Sequence, residues 1–213
     1  MTILVRIQII QTQIPMSDVL KPAILPGFFT LFVILTSFCF GQTVYGAATY
    51  EDYRSKGDRN LKIIERLYFK YPLASSKRKI AFNLLNNWNS ILLQYPEADR
   101  NERKRLYGDL KQEYVNSNTL LRDISIELAG LFEQTYNILA KQMIDIELST
   151  TEFSDAQSRL RIAKQEFHRA ETGYRNRQFY YSSHLFDRAI TMLLNIYNSL
   201  QWKLPEPVRG VIL

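Results

Sequence analysis

His168 and His184 are the only imidazoles in the chain, 16 positions apart on two different predicted helices. Antiparallel packing could bring the rings together, but a metal centre would need a third ligand. The nearest candidates, Glu166 and Asp187, occupy positions that read as exposed. The H-E-x-x-H, G-x-S-x-G, Walker and Gly-rich phosphate-loop spacings are all absent from the sequence. Glu166-Phe167-His168 lacks the Glu-x-x-His step that sets two di-iron ligands on one helix face. Asp145 with Glu147, and Glu51 with Asp52, lie two or fewer residues apart and so do not share a helix face. Both histidines therefore read as surface or helix-flank residues, and no metal or cofactor is expected. The chain reads as a non-enzyme, the remaining route to catalysis being carboxylates brought together from distant helices.

Chemistry of contact is better represented. Basic residues gather at Lys77-Arg78-Lys79, at Arg100 with Arg103-Lys104-Arg105, and along Arg159, Arg161, Lys164, Arg169, Arg175 and Arg177. The last set is interleaved with Phe167, Tyr174 and Tyr180, a pattern that RNA binders use. Much of this charge is answered locally, as in Glu102 with Arg105, Glu166 with Arg169 and Asp187 beside Arg188, which reads as a solvated face. An acidic envelope partner is the second reading, and no nucleic-acid partner is expected. The chain also carries 13 Tyr, 12 Phe and two Trp, side chains that give large contact area at low entropic cost. Phe179-Tyr180-Tyr181 at an inter-helix turn, preceded by Tyr174 and Arg177, forms the candidate partner-binding surface. One of the three consecutive aromatics should be core, and Tyr174, Phe186 and Trp88 read equally well as packing plugs.

The elements that position these residues are helices. Pro is absent from Glu97 to Leu204, and eight Gly and seven Pro in 213 residues are too few for a turn-rich β protein. A first helix with Asp58 as its N-cap should end before Pro72. A second, capped by Ser75-Ser76, should carry Ile80, Leu84, Leu85, Trp88, Ile91, Leu92 and Tyr95 as one stripe before Pro96. Both stop at a Tyr-Pro step because the residue before Pro is pushed out of the α region. From Asp99, apolar residues recur at threes and fours as far as Ile146, with a kink or cap expected at Asn118 within Asn116-Ser117-Asn118-Thr119. Ser149 and Glu152 have capping-box spacing and open the next helix. The last helix runs from near Phe179 to Trp202, before Leu204-Pro205. The fold class is all-α, a helical bundle or a short solenoid of five to six helices.

Ala170, Tyr174, Phe179, Ser182, Phe186 and Ala189 follow the small-aromatic-turn-aromatic-small order of a tetratricopeptide hairpin, which residues 166–202 resemble. The chain departs from the family in having Arg177 where the turn Gly stands and Ser182 where an Ala stands, and no Pro follows at repeat length. The resemblance implies a helical hairpin that presents a protein-binding face. In layout the whole chain is also similar to exported helical proteins of spirochaetes such as the flagellar coiling proteins, which implies a sheath or filament role.

That layout depends on the N-terminus. No charged residue lies between Lys21 and Glu51, and residues 23–40 are mostly apolar, followed by Gly46, Ala47 and Ala48. A cation, an apolar run and a small-residue zone make a secretory signal over residues 1–46, with Met16 able to serve as the start and residues 1–15 superfluous. An uncleaved anchor is the alternative, since 18 residues at about 1.5 Å each nearly span the ~30 Å hydrocarbon core. Cys39 follows Phe38 rather than a small residue, so it reads as one more apolar residue of the signal, with lipidation the lesser alternative. Cleavage after Gly46 would leave 167 residues, 47–213, as one Cys-free helical domain and lower the net charge from +6 to +5. The expected function is a non-enzymatic, exported, periplasmic scaffold or assembly protein of the bacterial envelope, a flagellar sheath or filament component being its specific form. The alternative is a helical binding protein, anchored in the inner membrane, that recruits an acidic partner. Envelope proteins are the expected partners, in a homo- or hetero-oligomer.

Overall fold

Five α-helices follow one another in the computed structural model, which describes residues 48–145 and 149–211: α1 Tyr50–Lys70, α2 Ser75–Gln94, α3 Arg100–Asp145, α4 Thr150–Arg175 and α5 Phe179–Ser199, with a 3₁₀ turn at Glu206–Val208. There is no strand among the described residues, and the fold is all-α. The expected signal segment lies outside the described residues, as does Ile146. All five helices belong to one compact unit, Ala47–Leu213.

The 46-residue α3, about 69 Å long at 1.5 Å per residue, is the spine. It packs against each of the other four helices and the 3₁₀ turn, whereas α2 meets only α1 and α3, and α4 only α3 and α5. Its expected stripe is the buried one, with Leu110, Leu121, Ile124, Leu128 and Leu139 fully enclosed. The helix is continuous through Asn118, contrary to the expected break. Poor helix formers are accommodated there because they have partners: Ser117 and Asn118 donate to the Tyr114 carbonyl at 2.7 and 3.0 Å, and Asn60 of α1 donates to Ser117 Oγ at 2.8 Å and Asn118 Oδ1 at 3.2 Å. Asn60, Ser117 and Asn118 thus form a polar seam between α1 and α3 rather than a helix end.

Helix starts follow their caps. Ser149 and Glu152 form the expected capping box, and Asp99 Oδ1 accepts from the backbone of Asn101 and Glu102 at 2.8 and 2.9 Å. Asp58, expected to cap α1, lies inside it. The cap is Thr49, whose hydroxyl and the Asp52 carboxylate bond each other's backbone N–H, and these bonds hold the Asp52 carboxyl below its usual range. Ala74, not a Ser, is the N-cap residue of α2, and Ile80 of the expected stripe is exposed. Tyr71 is extended before Pro72, as expected, but Tyr95 stays in the α region (φ −58°, ψ −40°) before Pro96. Its N–H still bonds the Ile91 carbonyl, and its ring stacks on Tyr50 at 3.7 Å. The last helix ends at Ser199, short of Trp202, because Gln201 turns left-handed (φ 54°). The Trp202 N–H then bonds the Tyr197 carbonyl, and the two rings meet edge to face at 6.3 Å, closing a Schellman cap.

Candidate aromatic and cationic contact surface

The α4–α5 turn is three residues long and tightly built. Gln178 N–H bonds the Gly173 carbonyl at 2.9 Å and Arg177 N–H the Tyr174 carbonyl at 3.0 Å, the two bonds of a second Schellman cap. That cap requires a left-handed residue after the helix, and Arg177 takes it at φ 58° without being Gly. Small residues let α4 and α5 approach: Ala163, Ala170 and Ala189 are fully buried, and Ser182 Oγ donates to the Ala170 carbonyl at 2.8 Å.

Of the five sequence-predicted contact residues, Tyr174 and Phe179 are half-buried and pack edge to face at 5.5 Å, bracing the turn. Arg177, Tyr180 and Tyr181 are exposed, the two tyrosines by 40% and 48%. None of the three consecutive aromatics is fully buried, because α5 begins there and only its later turns enter the core, where Phe186 is enclosed. Trp88, on α2, is enclosed as well. Tyr181 lies over Gly173, so a Cβ there would sit 3.2 Å from its ring.

The surface extends onto α1, a part the sequence-based reading omitted. Arg177, Phe179, Tyr180 and Tyr181 share a groove of about 590 Å³ with Lys56 and Arg59. On the far side of Tyr180 a larger groove of about 860 Å³ is lined by Arg59, Lys62, Ile63, Arg66, Phe69 and His184 among others. Arg59 and Tyr180 border both, the guanidinium carbon 5.7 Å from the ring centroid. The signal that could have found this face is the spacing of Lys56, Arg59, Lys62, Arg66 and Lys70, whose three- and four-residue steps place all five on one side of a helix.

Asp187 ties the two walls together. Its carboxylate accepts from Arg66 at 3.0 Å, Lys70 at 2.8 Å and the Tyr71 hydroxyl at 2.8 Å, while Lys70 also donates to Thr191 at 2.7 Å. Asp187, expected to be exposed, is buried, as is Glu166, which pairs with Arg169 at 3.0 Å. Burial, with the Asp187 charge behind it, pushes the Tyr71 phenol far upward, so it stays a neutral donor. His184 and His168 are exposed on different helices: Arg66 lies 3.1 Å from His184 Nδ1, and His168 Nδ1 lies 2.9 Å from Glu171. Among the described residues no group of three His, Cys, Asp or Glu side chains could hold a metal ion, and no helix is long and apolar enough to cross a membrane.

Comparison with family models, curated proteins and solved structures finds no match to this chain. The class defined by the fold is an all-α protein built on one long helix, with a cationic and aromatic surface where α1 meets α5.

Proposed function

We propose that the chain is an exported, non-catalytic helical protein of a bacterial envelope that works by protein–protein contact, as a scaffold or assembly component. A flagellar sheath or filament component is the specific version of this reading. The observation that carries the contact role is the exposed pair Tyr180 and Tyr181 in the first turn of α5, directly after a connection held by two backbone bonds and braced by Tyr174 and Phe179. Aromatic rings that are exposed yet fixed in place lose little entropy on binding, which is the property of interface anchors. The tetratricopeptide likeness of residues 166–202 agrees with such a role, and the signal over residues 1–46 supports export.

Two experiments test the proposal. N-terminal sequencing of the native protein is expected to give Ala47 or Thr49 as the first residue, and retention of residues 23–45 would replace the soluble scaffold by an anchored protein. Co-purification from envelope extract is expected to lose partners in the Tyr180→Ala/Tyr181→Ala variant. An unchanged set of captured proteins removes this surface from the proposal.

A further inference from the structure

We infer that the cationic face of α1 and the start of α5 form a docking track for an acidic protein segment, rich in Asp and Glu, that also lays apolar side chains into the larger groove. The inference rests on the contact reading above and names the chemistry of the partner. The track follows Lys56, Arg59, Lys62, Arg66 and Lys70 over 14 residues of helix, about 21 Å. About six residues of extended chain, at ~3.3 Å each, cover that distance. Five cations face three carboxylates, Asp52, Glu65 and Asp187, which leaves two net positive charges on this strip. Asp187 is already engaged by Arg66 and Lys70, whereas Lys56, Arg59 and Lys62 have no ion-pair partner among the described residues. Some cations on other helices are paired at home, as Arg105 is by Glu102 and Asp109, and Arg159 by Asp155, while Lys79 and Lys104 have no ion pair among the described residues but lie outside either groove.

Charge alone would suit any polyanion, and the lining of the larger groove favours a peptide. That groove is apolar as well as cationic, with Ile63 and Phe69 beside its cations and Phe69 left 74% exposed.

The test is fluorescence anisotropy with the full chain and a labelled peptide of alternating Glu and Leu. Lys56→Glu/Lys62→Glu is expected to raise Kd by at least about tenfold, and Lys56→Gln/Lys62→Gln by less. Lys79→Glu/Lys104→Glu changes the net charge equally from exposed positions outside the track, and should leave Kd within about threefold. Helical circular dichroism of each variant should match the parent, since all four lysines are exposed and lack ion pairs among the described residues. Equal weakening by the control pair, equal binding of a Gln-for-Glu peptide, or tighter binding of an oligonucleotide that responds to the same variants each overturns the inference. Partner capture separates it from the broader proposal. If Tyr180→Ala/Tyr181→Ala loses partners that Lys56→Glu/Lys62→Glu keeps, the contact surface stands and the acidic occupant falls; if neither variant loses any, both fall.

Discussion

Replacing Gly57 by Ala tests the packing of α1 on α2 by its sign. Inside a helix Ala is favoured over Gly by about 1 kcal/mol, so the substitution should stabilise a solvent-facing position. Gly57 is buried beneath Trp88: an added Cβ would lie 1.8 Å from Cη2 and 2.3 Å from Cζ2 of the indole. Ordinary carbon contacts are about 3.5–4.0 Å, so the ring would have to move by nearly 2 Å. Trp88 is only 1% exposed and its indole N–H donates to Asp58 at 2.8 Å, so it has nowhere to go without losing core contacts and that bond. Overpacking of about 1–3 kcal/mol and a lost hydrogen bond of about 1 kcal/mol outweigh the helix gain, for a net loss of about 2 kcal/mol. In a unit of this size that lowers Tm by about 4–8 °C. The same change at Gly108 or Gly130, where nothing lies within 4 Å of the added atom, should raise Tm by about 2–4 °C. Thermal melting followed by helical circular dichroism reads all three. In a Trp88→Leu background, Gly57→Ala should turn from destabilising to neutral or better, the interaction a double-mutant cycle isolates. If Gly57→Ala stabilises the parent as Gly108→Ala does, the Trp88 contact is not what this structure describes.

Arg177→Gly and Gln201→Gly each relieve a left-handed non-Gly residue, and after the entropy of a freer unfolded chain each should stabilise by about 0.5–1 kcal/mol in urea unfolding. Asp187→Ala leaves Lys70 and the Tyr71 hydroxyl without their shared acceptor and should cost about 3 kcal/mol by the same assay, with Asp187→Asn costing less. Burial pushes the Tyr68 and Tyr197 phenols up to about 12. Their unfolded values are near 10, so the folded state holds these protons more tightly. The contribution of these two phenols should therefore be level below pH 10 and lost between about 10 and 12, with phenolate absorbance rising together with unfolding. Phenolate signal from all buried tyrosines near pH 10 with the fold intact would contradict this.

Local signals were legible where local physics decides. The stripe of α3, the Ser149 capping box and the extended Tyr71 before Pro72 all follow from period, cap and Pro geometry. The early start of α1 was not, because Tyr50 and Tyr53 are held by remote rings: Tyr50 stacks on Tyr95, and Tyr53 meets Tyr107 and Tyr114 edge to face at 5.9 and 5.5 Å. Tyr95 stays helical for the same reason, a tertiary stack overriding a local preference. Asn116 to Thr119 read as a break until Asn60, some 57 residues earlier, is known to lie against Ser117. The contact surface was half legible. Tyr180 and Tyr181 at the start of α5 were named from the aromatic run and Arg177 from the turn before it, while the α1 cations, though regularly spaced, acquire their role only with α5 alongside.

The bonds that join those two walls link positions 116 to 121 residues apart in the chain. Synthesis therefore delivers the α1 wall well before the α5 wall, and a polypeptide halted before Phe179 carries the cations of α1 with nothing opposite them. Contacts of such separation close late, after the locally paired helices have formed. The surface for that reason exists only on a molecule in which α5 has been made and docked, and a partner that reads both walls at once would pass over copies in which it has not.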